Sequence, residues 1–277
     1  LKMIRDSRWR QRAVGGVCLS TDGGRTWTVS SEGLPANSPT TGLALDPSSG
    51  VGKRTLYAAV YGQGVFKSID DGKTWTLENS GLGENLNAWE ITLSKDGTLY
   101  LVITHNTQFA GDEALPDLLD GRVYRSTDGA ESWVEVELPE KVRFPNSVSV
   151  DPNDPTRLYL ACWASMMKGD FGQFDDPRTL LEAEGGLFVS NDSGRTWVST
   201  FDPSAYVYAS APDPRHPGRV YLVTFHNSAY RSDDYGHSWS RIEGYNFRWG
   251  HRPVIDMNDP EAIYITTFGG SVFHGKP

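Results

Sequence analysis

The sequence predicts an all-β protein built as a β-propeller of four-stranded antiparallel blades. Two observations support this fold class: an eight-residue segment recurs five times, and short runs of alternating apolar and polar residues, bounded by Gly, Pro, Asp and Asn, surround each copy. No run of residues has the spacing of a long amphipathic helix. Repeating units of about 40–65 residues with four strands each are typical of propeller blades.

The recurring segment has the form Ser-x-Asp-x-Gly-x-[Ser/Thr]-Trp. An Asp in a turn accepts hydrogen bonds from backbone N–H groups just downstream, and a Gly two residues later permits a positive φ. The Trp then offers a large apolar face to a neighbouring sheet. Ala130 replaces the Gly in the third copy, which predicts a slightly strained or altered turn. The structural Asp and Trp residues of the five copies are Asp22 and Trp27, Asp70 and Trp75, Asp128 and Trp133, Asp192 and Trp197, and Asp234 and Trp239.

The strand pattern around these copies divides the chain into blades. Four complete blades and two partial ones are predicted, at residues 40–80, 86–138, 144–201, 205–243, 16–31 and 252–274. Both partial blades supply a third strand, so they compete for one position if the ring closes on itself. An open ring leaves unpaired strand edges, which natural proteins avoid. The pattern therefore indicates either a single propeller domain over residues 1–277 or a fragment of a larger propeller whose other blades are absent from this chain.

The repeats resemble the Asp-box (BNR) repeats of sialidases, xyloglucanase-type glycoside hydrolases, sortilin-type receptors and the photosystem II assembly-factor propeller. This resemblance covers nearly the whole chain, and it implies a fold more strongly than an activity because the repeat is a structural turn. It implies a carbohydrate-active, glycoside-hydrolase-like propeller that acts on or binds a glycan. The alternative that it implies is a non-enzymatic propeller that binds a protein or peptide, as in the sortilin or assembly-factor type. The sialidase pattern fits less well, since the three clustered arginines of sialidases are not apparent.

Composition narrows the classes of partner and compartment. Acidic residues outnumber basic ones by 35 to 26, so a nucleic-acid partner is not expected. No apolar run is long enough for a membrane-spanning helix, and two cysteines do not make a disulfide framework. The chain begins with Leu and shows no signal peptide, yet the resemblance implies an extracellular or periplasmic protein.

Two neighbouring blades carry long insertions between their second and third strands, at residues 105–121 and 163–185. Equivalent loops of adjacent blades open on one face, so we expect these insertions to lie side by side. Both are acidic, and glycoside hydrolysis needs two carboxyl groups. The candidate catalytic residues are Asp112, Asp117, Asp120 and Asp170.

One stretch of the second insertion, Lys168 to Phe174, resembles the Gly-Asp-x-Gly-Gly-Phe segment that carries a catalytic Asp in xyloglucanase-type propellers. The resemblance implies that Asp170 is a catalytic acid, although Gln173 stands in place of a Gly and the partner motif is not visible. The same carboxylates also suit a solvated surface or a Ca²⁺ site. No other cofactor is expected, and no His or Cys spacing predicts a metal site.

Aromatic and histidine residues near the same face are candidates for substrate binding. His105 and His226 occupy equivalent positions at the ends of second strands, and Glu90 is a further acid candidate near the start of a first strand. Aromatic rings there either stack on sugars or pack between blades, and the imidazoles either act on substrate or anchor loops. The complete set of predicted substrate-binding residues is His105, Trp163, His226, Tyr245, Trp249 and His251.

Overall fold

The computed structural model describes residues 16–36, 39–105, 109–110, 113–114, 120–165, 182–226, 228–259 and 261–277. Within these ranges the secondary structure consists of strands and turns, with no helix. It follows that these residues include no helix of a length and apolarity suited to crossing a membrane. The predicted all-β architecture of four-stranded antiparallel sheets is confirmed for this part of the chain.

The first described strands form a short hairpin, and two consecutive four-stranded sheets follow it. In sheet 1 and sheet 2, each strand pairs antiparallel with its neighbour in chain order; the two-stranded β9–β10 hairpin is inserted within sheet 2. The strands are β1 (Cys18–Leu19) and β2 (Thr28–Val29) of the hairpin; β3 (Thr40–Leu45), β4 (Leu56–Val60), β5 (Gly64–Ser68) and β6 (Thr76–Leu77) of sheet 1; β7 (Ala88–Leu93), β8 (Leu99–Ile103), β11 (Arg122–Ser126) and β12 (Val134–Val136) of sheet 2; and the inserted β9 (Phe109–Ala110) and β10 (Glu113–Ala114).

Three more sheets complete the described architecture, and the last has three strands rather than four. The strands are β13 (Pro145–Asp151), β14 (Asp154–Cys162), β15 (Gly186–Ser190) and β16 (Val198–Ser199) of sheet 3; β17 (Val207–Pro212), β18 (Val220–Thr224), β19 (Ala229–Ser232) and β20 (Ser240–Arg241) of sheet 4; and β21 (Gly250–Ile255), β22 (Ile263–Thr267) and β23 (Val272–Gly275) of sheet 5.

The core lies between the sheets. The first strands of consecutive sheets, β3, β7, β13, β17 and β21, pack against one another in that order. The second strands β8 and β18 are buried along their whole length, which explains their continuous apolar sequences. Each buried cluster draws residues from two neighbouring sheets, as where Tyr159 and Leu187 of sheet 3 pack with Val220 and Leu222 of sheet 4. Burial between sheets therefore fixes the stacking order.

The five repeats form the same hydrogen-bonded turn, which joins β1 to β2 in the hairpin and the third strand to the fourth in sheets 1 to 4. In the second copy, Asp70 Oδ1 accepts from the backbone N–H groups of Lys73 and Thr74, at 3.0 and 2.9 Å. Its Oδ2 accepts from the Thr74 hydroxyl at 2.7 Å. These bonds, led by the one from the Thr74 side chain, lower the pKa of Asp70 to about 2. In the third copy, Ala130 forms this turn with a φ of +73°. This is the left-handed region, which strains a non-glycine residue, as the sequence predicted for this copy.

The repeat tryptophans connect consecutive sheets. The indole N–H of Trp75 donates to the Ser30 carbonyl at 3.0 Å, and that of Trp133 donates to the Glu78 carbonyl at 2.9 Å. These two rings are 4% and 3% exposed. Trp27 belongs to the β1–β2 hairpin, is 64% exposed and donates within its own turn. Trp75 and Trp133 are therefore buried against the strands that precede them, whereas Trp197 and Trp239 are half-buried and Trp27 is exposed.

Candidate functional site

A β-bulge interrupts the first strand of every sheet at the same place. In each sheet the pairing of the first strand with the second skips one residue, and the extra residue is left outside the ladder. Bulges redirect a side chain and are common beside functional sites. We call the five extra residues the bulge ring; they are Thr41, Trp89, Asn146, Tyr208 and His251.

Members of the bulge ring contact the next sheet along the chain. The Thr41 hydroxyl donates to the Ala88 carbonyl at 2.9 Å, and the Asn146 amide donates to the Tyr208 carbonyl at 2.6 Å. The Tyr208 and His251 rings meet edge to face, with centroids 4.9 Å apart. The strand starts therefore converge, and their side chains form one surface.

A cavity of about 210 Å³ opens on this surface. It lies at the end of the sheets where second strands finish, because Tyr61, His105 and Trp163 follow β4, β8 and β14 closely in sequence. The remaining wall comes from bulge-ring residues and from the start of β13. The complete lining is Tyr61, Trp89, Thr104, His105, Phe144, Pro145, Asn146, Trp163 and Tyr208.

Two indole N–H groups of the cavity wall have no acceptor in the part of the chain that the structure describes. Those of Trp89 and Trp163 are buried and meet no hydrogen-bond partner among the described residues. Both rings are themselves half-buried, and Trp163 packs against Tyr206, Tyr208 and Phe225 at centroid distances of 5.4 to 5.7 Å. Buried donors are normally satisfied, so an unsatisfied pair in a cavity wall suits a ligand that brings hydroxyl acceptors.

Charged groups beside the cavity are paired with one another. Glu90 is 6% exposed, forms an ion pair with Arg252 of sheet 5, and accepts the Val148 N–H at 2.9 Å. Burial, together with the nearby Arg252 charge, lowers the pKa of His251 to about 4, so this imidazole is neutral near pH 7. Burial also raises the pKa of Tyr208. The cavity wall is therefore aromatic and polar without a free charge among its described residues.

Three of the four predicted catalytic residues, Asp112, Asp117 and Asp170, lie outside the described residues. The fourth, Asp120, forms an ion pair with Arg143 at 2.7 Å. In the parts of the chain that the structure describes, no three His, Cys, Asp or Glu residues are grouped to hold a metal ion. The predicted carboxylate pair and the Ca²⁺ alternative both stay predictions.

The described ends of the two insertions lie together, which agrees with the prediction that they are neighbours. His105 and Trp163, which begin them, line the same cavity. Arg143 bonds the side chain of Asp120 and, at 3.4 Å, the carbonyl of Glu182, so one residue contacts the far ends of both. Arg143, in the connection between sheets 2 and 3, thus links the described far ends of the two insertions.

The predicted substrate-binding residues fall into four groups. His105 and Trp163 line the cavity, while His226 and Trp249 lie behind it, each in contact with the Phe225 ring at 4.9 and 6.4 Å. His251 reaches the cavity through Tyr208. Tyr245 lies elsewhere: it is 5% exposed and lines a separate cavity in sheet 5.

Sequence reasoning did not predict most of the cavity residues, which are Tyr61, Trp89, Thr104, Phe144, Pro145, Asn146 and Tyr208. Aligning the first strands of the blades gives a usable signal, since Trp89, Asn146, Tyr208 and His251 stand at one equivalent position. The bulge that turns this position toward the cavity is a feature of strand pairing, which sequence periodicity does not reveal.

Comparison with known proteins shows partial matches to enzymes. No family model matches the chain. A xyloglucanase of Paenibacillus sp is 28% identical over 175 residues, which cover 56% of this chain and 16% of that protein. The oligoxyloglucan-reducing end-specific xyloglucanase of Emericella nidulans is 26% identical over 209 residues, covering 57% of this chain and 25% of the enzyme. The chain therefore spans a quarter or less of these relatives.

Solved structures extend the likeness over nearly the whole chain. The GH74 enzyme of Niastella koreensis superposes with a TM-score of 0.62 at 20% identity, covering 95% of this chain and 40% of the enzyme. YCF48 bound to D1 peptide superposes with a TM-score of 0.58 at 13% identity, covering 95% of this chain and 74% of YCF48. The chain has a β-propeller fold. At these identities the likeness establishes the propeller architecture and leaves its activity to the site.

Proposed function

We propose that this propeller is a carbohydrate-active, glycoside-hydrolase-like protein that holds a glycan in the bulge-ring cavity. The observation that carries this proposal is the half-buried Trp89 and Trp163 pair, whose buried indole N–H groups have no hydrogen-bond acceptor among the described residues. Aromatic faces stack on the apolar faces of sugar rings, and sugar hydroxyls accept hydrogen bonds from indoles. The xyloglucanase relatives support the same class of ligand.

The paired charges favour a neutral glycan. An acidic sugar needs an unpaired cation, whereas Arg143 and Arg252 are already bonded to Asp120 and Glu90. We assign catalysis to Asp170 as acid with Asp112, Asp117 or Asp120 as the second carboxyl group. The Asp120–Arg143 ion pair suits a base or nucleophile better than an acid.

We also propose an identity for the turns and for the sheets. The five turns are Asp-box turns, and the five sheets and the β1–β2 hairpin are blades of one propeller domain. Polymeric glycans are encountered outside the cytoplasm, so we place the protein in the extracellular space or the periplasm. The shared hydrogen bonds of the five repeats support the first statement.

Binding of soluble xyloglucan by titration calorimetry tests the glycan site. We expect Trp89→Ala and Trp163→Ala each to weaken binding at least about tenfold, because truncating a stacked aromatic in a pocket removes a large part of the binding energy. Trp27→Ala is the matched control, since Trp27 is exposed on the β1–β2 hairpin and lines neither cavity. Equal affinity in all three variants, or no binding by the unaltered protein, refutes the proposal.

Release of reducing sugar tests the catalytic assignment separately. Asp170→Asn is expected to abolish turnover while glycan affinity stays within about threefold, since the acid acts in the chemical step. Unchanged turnover in this variant would show that Asp170 is not catalytic, and it would not contradict the glycan-binding site.

A second candidate is a non-enzymatic propeller that binds a protein or peptide in the same cavity. The specific observation in its favour is coverage: the chain spans 74% of YCF48 but 40% of the Niastella koreensis GH74 enzyme. Absence of glycan binding, together with peptide binding that Trp89→Ala abolishes, is the result that selects this candidate.

A further inference from the structure

Trp249 is an exposed indole beside the bulge-ring cavity. It lies in the connection from sheet 4 to sheet 5, directly before β21, and it is 45% exposed. Its carbonyl accepts the Phe268 N–H at 3.0 Å. The same backbone bond recurs in sheets 3 and 4, where Phe144 and Tyr206 are the accepting residues. These three aromatic residues therefore hold equivalent positions in consecutive sheets.

The three equivalent residues differ in exposure because the loops beside them differ in length. Phe144 and Tyr206 are 3% and 6% exposed. His105 of the first insertion stands edge-on to Phe144, with ring centroids 4.9 Å apart. The Ser165 carbonyl of the second insertion accepts the Tyr206 hydroxyl at 3.1 Å. The corresponding loop of sheet 4 spans only residues 225–228, between β18 and β19, and it leaves the third aromatic residue exposed.

Aromatic rings join Trp249 to the cavity wall along two routes. Phe225 contacts both Trp163 and Trp249, at centroid distances of 5.4 and 6.4 Å. The Phe268 N–H donates to the Trp249 carbonyl, and the Phe268 ring contacts that of Tyr208 at 5.0 Å. Trp163 and Tyr208 line the cavity. The exposed indole is therefore continuous with the aromatic wall of the proposed glycan site.

The Trp249 ring is held in place by its neighbours. It stacks on Phe225 with 26° between the ring planes, and it meets Phe247 edge to face with centroids 6.0 Å apart. A tryptophan fixed by packing offers a large contact area to a ligand at a small cost in conformational entropy. Its exposed face is suited to the apolar face of a sugar ring.

The size of the cavity limits how much of a glycan it encloses. Pockets that enclose a drug-sized ligand measure roughly 300–1,000 Å³, whereas this cavity measures about 210 Å³. A glycan of several sugar residues therefore extends beyond the cavity onto the surrounding surface. On the side of sheets 4 and 5, that surface carries Trp249.

We propose that Trp249 is an outer platform for a second sugar residue, so that the ligand is a glycan chain rather than a single sugar. Part of the chain occupies the cavity beside Trp89 and Trp163, and the chain continues over Phe225 onto Trp249. This inference rests on the proposed glycan site and adds the length and direction of its ligand. The continuity of the aromatic contacts carries the assignment.

Titration calorimetry with the xyloglucan heptasaccharide tests the platform. Trp249→Ala is expected to weaken binding at least about fivefold, because truncation removes the stacked face. Trp249→Phe keeps an aromatic face at this position and is expected to bind within about threefold of the unaltered chain. Trp27→Ala is the matched control, since Trp27 is a 64% exposed indole that lines neither cavity. An unchanged unfolding midpoint shows that each variant remains folded.

The outcomes separate this inference from the proposed function. No binding of the heptasaccharide or of soluble xyloglucan by the unaltered chain refutes the glycan site, and the platform falls with it. Binding that Trp89→Ala weakens and Trp249→Ala leaves unchanged refutes the platform alone. Light scattering covers a different occupant: a dimer of this chain that dissociates in Trp249→Ala shows that another copy covers the indole, and this result overturns the assignment to a glycan.

Indole N–H signals in a heteronuclear NMR spectrum locate the two parts of the ligand. Trp249→Phe and the matching variants of Trp89 and Trp163 assign the signals. The heptasaccharide is expected to shift all three, whereas isoprimeverose, the disaccharide unit of xyloglucan, is expected to shift only those of the two cavity residues. A Trp249 signal that does not respond to the heptasaccharide, or that responds equally to the disaccharide, overturns the separate outer platform.

Discussion

The repeat turns and the bulge ring are both fivefold features, but they repeat in different ways. The turns use nearly the same residues in each copy, and their hydrogen bonds recur within about 0.2 Å, as in the bond from residue 74 to Asp70 and the bond from residue 196 to Asp192. The bulge ring repeats only its backbone irregularity and carries Thr41, Trp89, Asn146, Tyr208 and His251.

This difference separates structural positions from candidate functional ones. A position that has the same side chain in every repeat serves the same local purpose each time, which is to close a turn and position an indole. A position that repeats its geometry with varied side chains builds one composite surface, to which each sheet contributes a different group. The cavity lined by Trp89, Asn146 and Tyr208 is that surface.

The largest expected effect concerns the seating of the repeat tryptophans. Trp133→Ala is expected to lower the free energy of unfolding by about 3–5 kcal/mol, because it empties a buried site and removes a hydrogen bond to Glu78. Trp27→Ala, at a 64% exposed ring, is expected to cost less than about 1 kcal/mol. Denaturant unfolding measures both changes. Similar losses of unfolding free energy would show that the two tryptophan rings are equally buried in solution.

Two pH ranges distinguish the bulge ring from the repeat turns, and the expected effects on stability are of intermediate size. The pKa of His251 is lowered to about 4, so the unfolded state binds the proton first and stability falls as pH drops from about 6.5 toward 4. The pKa of turn carboxyls such as Asp128 is lowered to about 2, so their contribution is present above about pH 4 and is lost as pH falls toward 2. Urea midpoints measured from pH 8 to pH 2 are expected to show both declines.

Substitutions of His251 and Asp128 show which group causes each decline in stability. His251→Gln is expected to flatten the upper decline and leave the lower one, while Asp128→Asn is expected to lower the midpoint at neutral pH and shrink the lower decline. Glu131→Gln, an exposed residue beside Asp128, serves as the control. An upper decline that persists in His251→Gln would contradict a buried neutral imidazole in the bulge ring.

The smallest expected effect is at Ala130. Replacing it with Gly relieves about 1 kcal/mol of left-handed strain but removes a fully buried methyl group worth about 0.8 kcal/mol. Ala130→Gly is therefore expected to leave the free energy of unfolding within about 0.5 kcal/mol of its original value. Ser193→Gly, at φ +62° without full burial, is expected to be stabilising by about 0.4–1 kcal/mol. A large loss at Ala130 would show that its methyl group outweighs the strain.

Local chemistry made the turns and strands predictable from the sequence. Each repeat contains its own donors and acceptors within eight residues, so the Asp70 turn closes without help from the rest of the chain. The continuous apolar runs of the second strands likewise predict buried strands. These features predicted the all-β architecture, and they also predict that the two acidic insertions are neighbours.

The tertiary structure alone decided which side chains share a cavity. Trp89 and Tyr208 line one cavity although they are far apart in the chain, because each stands at the bulge of its first strand and the stacking of sheets brings these strands together. The same stacking buries Trp133, leaves Trp27 exposed and places Tyr245 in a second cavity. A local sequence pattern predicts the hydrogen bonds and turns that form between residues close together in the chain. Which distant side chains line one cavity depends on contacts between sheets, and no short segment contains both partners of such a contact.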